Sequence, residues 1–264
     1  MNLTSATARL RHLIDRAAAC LPWQNRCHCA VCGREVRRFL PYRDSWSGMP
    51  AVLTEQDVVG SDIANFECPF CGCHDRERHL LLYLRASGLW TELATARVLH
   101  LAPERHLGRL IQRERPVEYV QGDLYPTQAD IRRIDLMAID CADASFDWVI
   151  ANHVLEHVAD DAQALREIRR VLRPGGKAIL QTPYAARLAH KQEDAAIATD
   201  AARLAAYGQE DHCRLYGADF VDHVVSFGFI DTTAGHAQLL PGVDPQRAGV
   251  NSREPFLLFT RPQS

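Results

Sequence analysis

The chain of 264 residues is 47% apolar and 24% charged, an ordinary globular balance that allows one large domain, or a large and a small one. A net charge of −3 excludes any argument from bulk charge for a nucleic-acid or membrane partner, although arginines gather locally at Arg34, Arg37 and Arg38 and again at Arg76 and Arg78. No apolar run approaches the length of a membrane span, so a reducing cytoplasm is the expected location.

At the amino terminus, Arg9, Arg11, Asp15 and Arg16 interrupt the unbroken apolar stretch that a secretory signal needs. Leu10, Leu13, Ile14 and Ala17 instead fall at helical spacing, which predicts an amphipathic helix over residues 1–22 docked on the body.

Residues 23–79 read as a separate small module. Seven of the nine cysteines precede residue 75, and in a reducing compartment they call for something other than disulfides. Cys29-Ala-Val-Cys32-Gly33 and Cys68-Pro-Phe-Cys71-Gly72 repeat a C-x-x-C-G pattern. Two residues between cysteines let a tight turn aim both thiolates at one ion, and the glycine admits the backbone angles of that turn. Cys29, Cys32, Cys68 and Cys71 therefore read as an all-thiolate tetrahedral zinc site of structural type, in a zinc-ribbon-like module. Cys27, His28, Cys73 and His74 are possible substitutes or ligands to a second ion. The neighbouring arginines suit either a solvated face or a phosphate-rich partner.

From about residue 80 to the end the texture is that of alternating strands and helices. Strands are predicted at Arg97–Ala102, Val117–Asp123, Ile134–Leu136 and Phe146–Asn152. A helix over Asp161–Leu172 carries Leu165, Ile168, Val171 and Leu172 on one face, with Asp160 or Asp161 as its cap. Pro174-Gly175-Gly176 is expected to stop it before a strand at Lys177–Pro183, and Gly228–Ala234 and Pro255–Arg261 could pair as the last two strands. The alternation predicts an α/β, doubly wound, mostly parallel sheet covered on both faces.

The run from Asp147 to Val158, followed by Leu165-Arg-Glu-Ile-Arg-Arg-Val-Leu-Arg-Pro-Gly-Gly176, resembles the class I S-adenosylmethionine-dependent methyltransferases. Leu99–Glu104, Tyr119–Pro126, Ile134–Asp147 and Gly208–Phe220 extend the likeness to a type 11-like subgroup that often begins with paired cysteine knuckles. The resemblance implies a Rossmann-like domain of seven strands over residues 80–264. S-adenosyl-L-methionine would be the methyl donor and zinc would be structural. It places Ala102 and Glu104 at the methionine end, Asp123 at the ribose, Asp135 and Leu136 at the adenine, and Asn152 with His153 beside the sulfonium, with Leu101 and Leu124 also among the cofactor-binding residues. A carboxylate just past the second strand is a natural bidentate partner for two ribose hydroxyls. The glycine-rich first loop of the family is missing, since His100–Gly108 has one late glycine. That absence counts against a dinucleotide, whose pyrophosphate needs close backbone approach, and harms a phosphate-free donor less.

If the acceptor is a hydroxyl or a protonated nitrogen a general base would help, and His212 and His153 are the candidate catalytic residues, ahead of His157. Two readings follow. One is an active methyltransferase acting on an unidentified acceptor; nucleic acid is a possible one that the net charge does not indicate. The other is a methyltransferase-like scaffold without chemistry, whose zinc module binds RNA or a protein.

Overall fold

The computed structural model describes residues 13–21, 26–42 and 49–263. Its centre is a seven-stranded sheet. The strands are β4 (Arg97–Leu101), β5 (Glu118–Asp123), β6 (Arg132–Arg133), β7 (Phe146–Ala151), β8 (Leu172–Ile179), β10 (Ile230–Asp231) and β11 (Leu258–Thr260). Short pairs lie outside it: β1 (Cys27–His28) with β2 (Glu35–Val36), and β3 (Val58–Val59) with β9 (Tyr184–Ala185). In space the large sheet runs β10-β11-β8-β7-β4-β5-β6, parallel except for β11, which is antiparallel to both β8 and β10. Chain order reverses between β4 and β7, and open α/β sheets bind ligands beyond the carboxyl ends of strands at such a point.

Burial on both faces explains the near-continuous apolar strands. Leu99, Val149, Ala151 and Phe259 face helices α3 (Asp161–Val171) and α5 (Phe220–Ser226) through Leu165, Ile168, Phe220 and Val224. On the other face Val98, Trp148, Ile150 and Ile179 meet α1 (Asp75–Ala86) and α2 (Arg105–Arg113) through Leu80, Leu84, Leu107 and Ile111. Between α3 and α5 lies α4 (Asp200–Tyr207). Asp160 caps α3 by accepting from the Gln163 amide at 2.9 Å, which fixes where that helix begins.

Several elements depart from the periodicity. Pro174-Gly175-Gly176 does not separate helix from strand: β8 starts at Leu172 and runs through it, with a register shift opposite Phe146 and Trp148. Gly175 has φ +76°, and a Cβ on Gly176 would come within 2.8 Å of the Arg173 carbonyl oxygen, so the glycines form a bulge rather than a stop. The third strand is Arg132–Arg133, two residues before the apolar run that suggested it. Ile134 itself turns inward beneath Gly122.

At the amino end, residues 13–19 are helical, while residues 1–12 of the predicted helix lie outside the described residues. Leu13 and Ile14 do not dock: they are 61% and 60% exposed. Ion pairs from Arg16 to Glu67 and from Asp15 to Arg38, together with the fully buried Ala19, make the contact instead. Among the described residues no helix is long and apolar enough to cross a membrane.

The cysteine module and the sheet domain share an element. Helix α1 runs through residues 79 and 80, packs its first turn against the module and gives Leu80, Leu81, Tyr83 and Leu84 to the core of the sheet. Arg78, at the seam, is not solvated. It is fully buried, stacked 3.8 Å from the Phe39 ring centroid, and donates to the carbonyls of Asn65, Phe66, Cys73, Ala248 and Gly249. Its guanidinium satisfies backbone from both halves of the chain, so a phosphate-binding role does not fit it.

Candidate functional site

The ladder registers set the frame of the candidate cleft. Leu101 pairs with Gly122 on one side and with Ala151 on the other, so Ala102, Asp123 and Asn152 leave three adjacent strands at one level. Ala102 and His153, flanking the reversal point, have φ of +46° and +56°, left-handed angles that L-residues seldom adopt. Such strain, on the order of 1 kcal/mol each, gathers where a site needs the backbone held. Ala102 is anchored by its amide, which donates to the Gly122 carbonyl at 2.7 Å. It stands where a glycine-rich turn would otherwise supply the unusual conformation.

Glu104 caps this edge. Its carboxylate accepts from the Asn152 amide nitrogen and lies 3.2 Å from Nε2 of His100, whose Nδ1 is 2.9 Å from the Tyr119 hydroxyl. Burial would raise the Glu104 carboxyl, but the bond from His100, with help from the Arg76 charge, holds it below its ordinary range. Two buried polar atoms near this carboxylate have no partner among the described residues, Asn152 Oδ1 and Arg76 Nε. The Asn152 oxygen is an acceptor and the Arg76 nitrogen a cationic donor, a pair complementary to a ligand bearing both an ammonium and a carboxylate. Arg76 stood out in the sequence only as one of a cluster of arginines. Its relation to the cleft comes from the first turn of α1, which the sequence does not place.

Asp123, half-buried, accepts the Tyr125 amide on Oδ1 at 2.7 Å. Asp135 makes the same kind of turn with the Met137 amide at 2.8 Å, while Leu136 is buried beside it. Leu101 is buried in the core and Leu124 is 38% exposed at the rim. Helix α2, which follows the first loop, has its amino end met by Glu77 of α1: Oε1 accepts from the His106 and Leu107 amides, each at 3.1 Å. A carboxylate at a helix amino terminus satisfies free amides and the dipole together.

The two histidines proposed from the sequence as bases occupy different environments. His153 is clamped between carboxylates, Nδ1 3.4 Å from Glu156 and Nε2 3.3 Å from Glu254. Burial alone would lower its pKa, but the bonds to Glu156 and Glu254 carry it up to about 9, so at neutral pH it is a cation and a poor proton acceptor. His212 is buried and pushed below its ordinary value first by that burial, which leaves it neutral. Its Nδ1 faces the Tyr207 carbonyl at 3.3 Å and its ring meets His157 edge to face, 4.7 Å between centroids. A longer chain of contacts connects these groups. His236 touches His79 at 3.0 Å and His79 reaches Glu254 at 3.3 Å, so both histidines join the Glu254–His153–Glu156 line.

The cysteines form a second cluster. The sulfurs of Cys29, Cys32, Cys68 and Cys71 all lie within 4.8 Å of one another, with Cys29–Cys71 at 3.9 Å and Cys32–Cys68 at 4.0 Å. Zinc–sulfur bonds of about 2.3 Å at tetrahedral angles give an edge of about 3.8 Å. Both knuckles close alike: the Gly33 amide donates to Cys29 at 2.8 Å and the Gly72 amide to Cys68 at 2.9 Å, with φ of +70° and +78°. Hydrogen bonding from Cys29 pulls the Cys71 thiol down, whereas hydrogen bonding from Cys68 pushes Cys29 up and burial pushes Cys32 up, so without an ion the four sulfurs share their protons unequally. Of the four alternative ligands only Cys73 joins the cluster, 3.4 Å from Cys29. Cys27 faces the carbonyls of Arg37 and Gln246, and the His74 ring stacks on Phe66.

Comparison with known proteins gives partial matches. Residues 109–180 match the family described as "Methyltransferase domain". Over 59 residues it is 46% identical to a Mycolicibacterium smegmatis protein named "Probable S-adenosylmethionine-dependent methyltransferase", which is 22% of this chain and 23% of that protein. Over 49 residues it is 49% identical to an uncharacterised 37.1 kDa protein of a Streptomyces fradiae transposon, 19% of this chain and 14% of that one. The chain thus spans under a quarter of the length of either relative. Among solved structures, an S-adenosylmethionine-dependent methyltransferase from Mesorhizobium loti aligns over 67% of this chain and 96% of its own, with 15% identity and a TM-score of 0.47.

Proposed function

We propose that this chain transfers a methyl group from S-adenosyl-L-methionine to an acceptor, with zinc held structurally by Cys29, Cys32, Cys68 and Cys71. The observation that carries the reading is the unpartnered pair at the reversal point, Asn152 Oδ1 and Arg76 Nε, beside the strained Ala102 and His153. The donor's methionine end bears an ammonium and a carboxylate, and these two atoms offer what each requires. Asp123 and Leu124 would hold the ribose, and Asp135 and Leu136 the adenine. Leu101, Ala102 and Glu104 would line the methionine end, with Asn152 and His153 at the sulfonium.

When bound, the donor supplies an already activated methyl group. The residues then have to align the acceptor and exclude water. His153, clamped as a cation, orients Glu156 and Glu254 instead of accepting a proton, while His212 keeps a neutral ring with a free lone pair. The thiolate cluster holds the first turn of α1, and with it Arg76 and Glu77, against the cleft.

Calorimetry with S-adenosylhomocysteine tests this. Binding in the micromolar range is expected. Asp123→Ala and Arg76→Ala should each weaken it about tenfold or more, the worth of one charge-assisted hydrogen bond. A protein blind to both the donor and its product, yet binding RNA with a steep salt dependence, would select the scaffold reading instead.

A further inference from the structure

A third group of ligating side chains stands apart from the cysteines. Glu156, His157 and His212 each bring one ligating atom within 4.8 Å of the others. The backbone fixes this convergence: the Cys213 amide donates to the Glu156 carbonyl at 2.8 Å and its thiol to the His157 carbonyl at 3.3 Å. That seam brings residues 212 and 213 against the turn Leu155–His157, 55 positions earlier in the chain for the two histidines (212 minus 157).

Each of the three side chains is also held from behind. Thr182 donates its hydroxyl to Oε2 of Glu156 at 3.0 Å, which leaves Oε1 turned toward His157 Nε2 at 3.9 Å. Asp211 engages Nδ1 of His157 at 3.2 Å, and the Tyr207 carbonyl engages Nδ1 of His212 at 3.3 Å. A metal-binding histidine almost always passes its second nitrogen to a carboxylate or a carbonyl, which fixes the tautomer and orients the lone pair. Both histidines here have that outer partner, one of each kind. Glu156 is 1% exposed and its charge is already faced by His153, whose Nδ1 lies 3.4 Å from Oε1.

We propose that Glu156, His157 and His212 form a divalent-cation site, separate from the cysteine knuckles. Two imidazoles and one carboxylate form a borderline set suited to manganese, iron or zinc in the divalent state, and three protein ligands leave positions open to water or another oxygen ligand. Bonds of about 2.0–2.2 Å require the side chains to draw together by roughly 1 Å, and His157, with 30% of its side chain exposed, has room to turn. An ion bound there takes the Nε2 lone pair of His212, so His212 is then a ligand rather than a base. His153, which shares Glu156 Oε1, joins this site to the end of β7.

The test uses the full chain loaded with zinc at its knuckles, titrated with manganese, which avoids thiolate sites, and followed by electron paramagnetic resonance and calorimetry. About one manganese per chain is expected. His157→Gln and His212→Gln should each weaken it at least about tenfold, and Asp211→Asn, an exposed change, about tenfold through His157 alone. Zinc content and circular dichroism should stay unchanged in all three. No bound manganese, or equal binding in the double variant His157→Gln/His212→Gln, overturns the proposal. Binding of S-adenosylhomocysteine measured on the same samples reports separately on the methyl-transfer reading.

Discussion

Gly122 shows how one hydrogen atom in place of a methyl group shapes the side of the cleft proposed to hold the nucleoside. A Cβ at this position would fall 2.7 Å from Cδ1, 3.0 Å from Cβ and 3.1 Å from Cγ1 of Ile134. The Ile134 Cβ is fixed to the backbone and, in a β-branched side chain, rotation about χ1 only exchanges one γ-carbon for another, so Gly122→Ala must push Ile134 out, and with it Asp135 and Leu136. Overpacking of this kind costs about 1–3 kcal/mol. The variant should melt several degrees lower and bind S-adenosylhomocysteine more weakly by about tenfold. Thermal denaturation with calorimetry checks both, and unchanged affinity would detach Asp135 and Leu136 from the ligand. The sequence marks Gly122 only as a residue before a strand-end aspartate; its packing partner, Ile134, reads there as part of a strand.

At the scale of elements, helices were legible where an apolar stripe and a cap coincide, as in α3. The long strands were legible because burial on both faces leaves an unbroken apolar run. Short edge strands such as Arg132–Arg133 carry neither signal, and a bulge that consumes Pro174-Gly175-Gly176 looks in sequence like a stop. The contacts that seat α3 were equally hidden, because they come from distant segments. Asp161, in the first turn of α3, is buried and meets Lys191 at 2.9 Å, His223 at 2.9 Å and the Tyr216 hydroxyl at 3.1 Å. Burial would raise its carboxyl, but His223 and Lys191 hold it well below the usual carboxylate range. A carboxyl depressed in the folded state adds stability that is complete above its unfolded value near 3.8 and is lost as pH falls toward the folded one. Asp161→Asn should therefore destabilise at neutral pH by about 3 kcal/mol, the cost of leaving buried charges unmatched, and flatten the acid limb below pH about 4. Denaturant melts across pH measure both; parallel acid limbs in the two proteins would remove Asp161 from that account.

For the whole molecule, the sequence divides at residue 79 or 80, yet the division passes through a continuous helix. What the composition cannot show is that Arg78 binds carbonyls of the module, at Asn65, Phe66 and Cys73, and of the far carboxyl-terminal segment, at Ala248 and Gly249. His79 adds a bond to Glu254, and β3 pairs with β9. The same helix brings Arg76 to Glu104 and Glu77 to the amino end of α2, so under the proposed zinc reading the cysteine cluster is coupled to the cleft through this helix. Metal removal tests this coupling. Stripping the knuckle ion with a strong chelator, or replacing Cys68 by Ser, should lower the single melting transition by more than about 10 °C, because a structural site contributes several kcal/mol and each shifts a chain of this size by about 2–4 °C. Affinity for S-adenosylhomocysteine should fall in parallel and return when zinc is restored to the stripped wild-type protein. Two separate transitions, with the upper one and the affinity untouched, would instead make the module an independent attachment whose ion has no hold on the cleft.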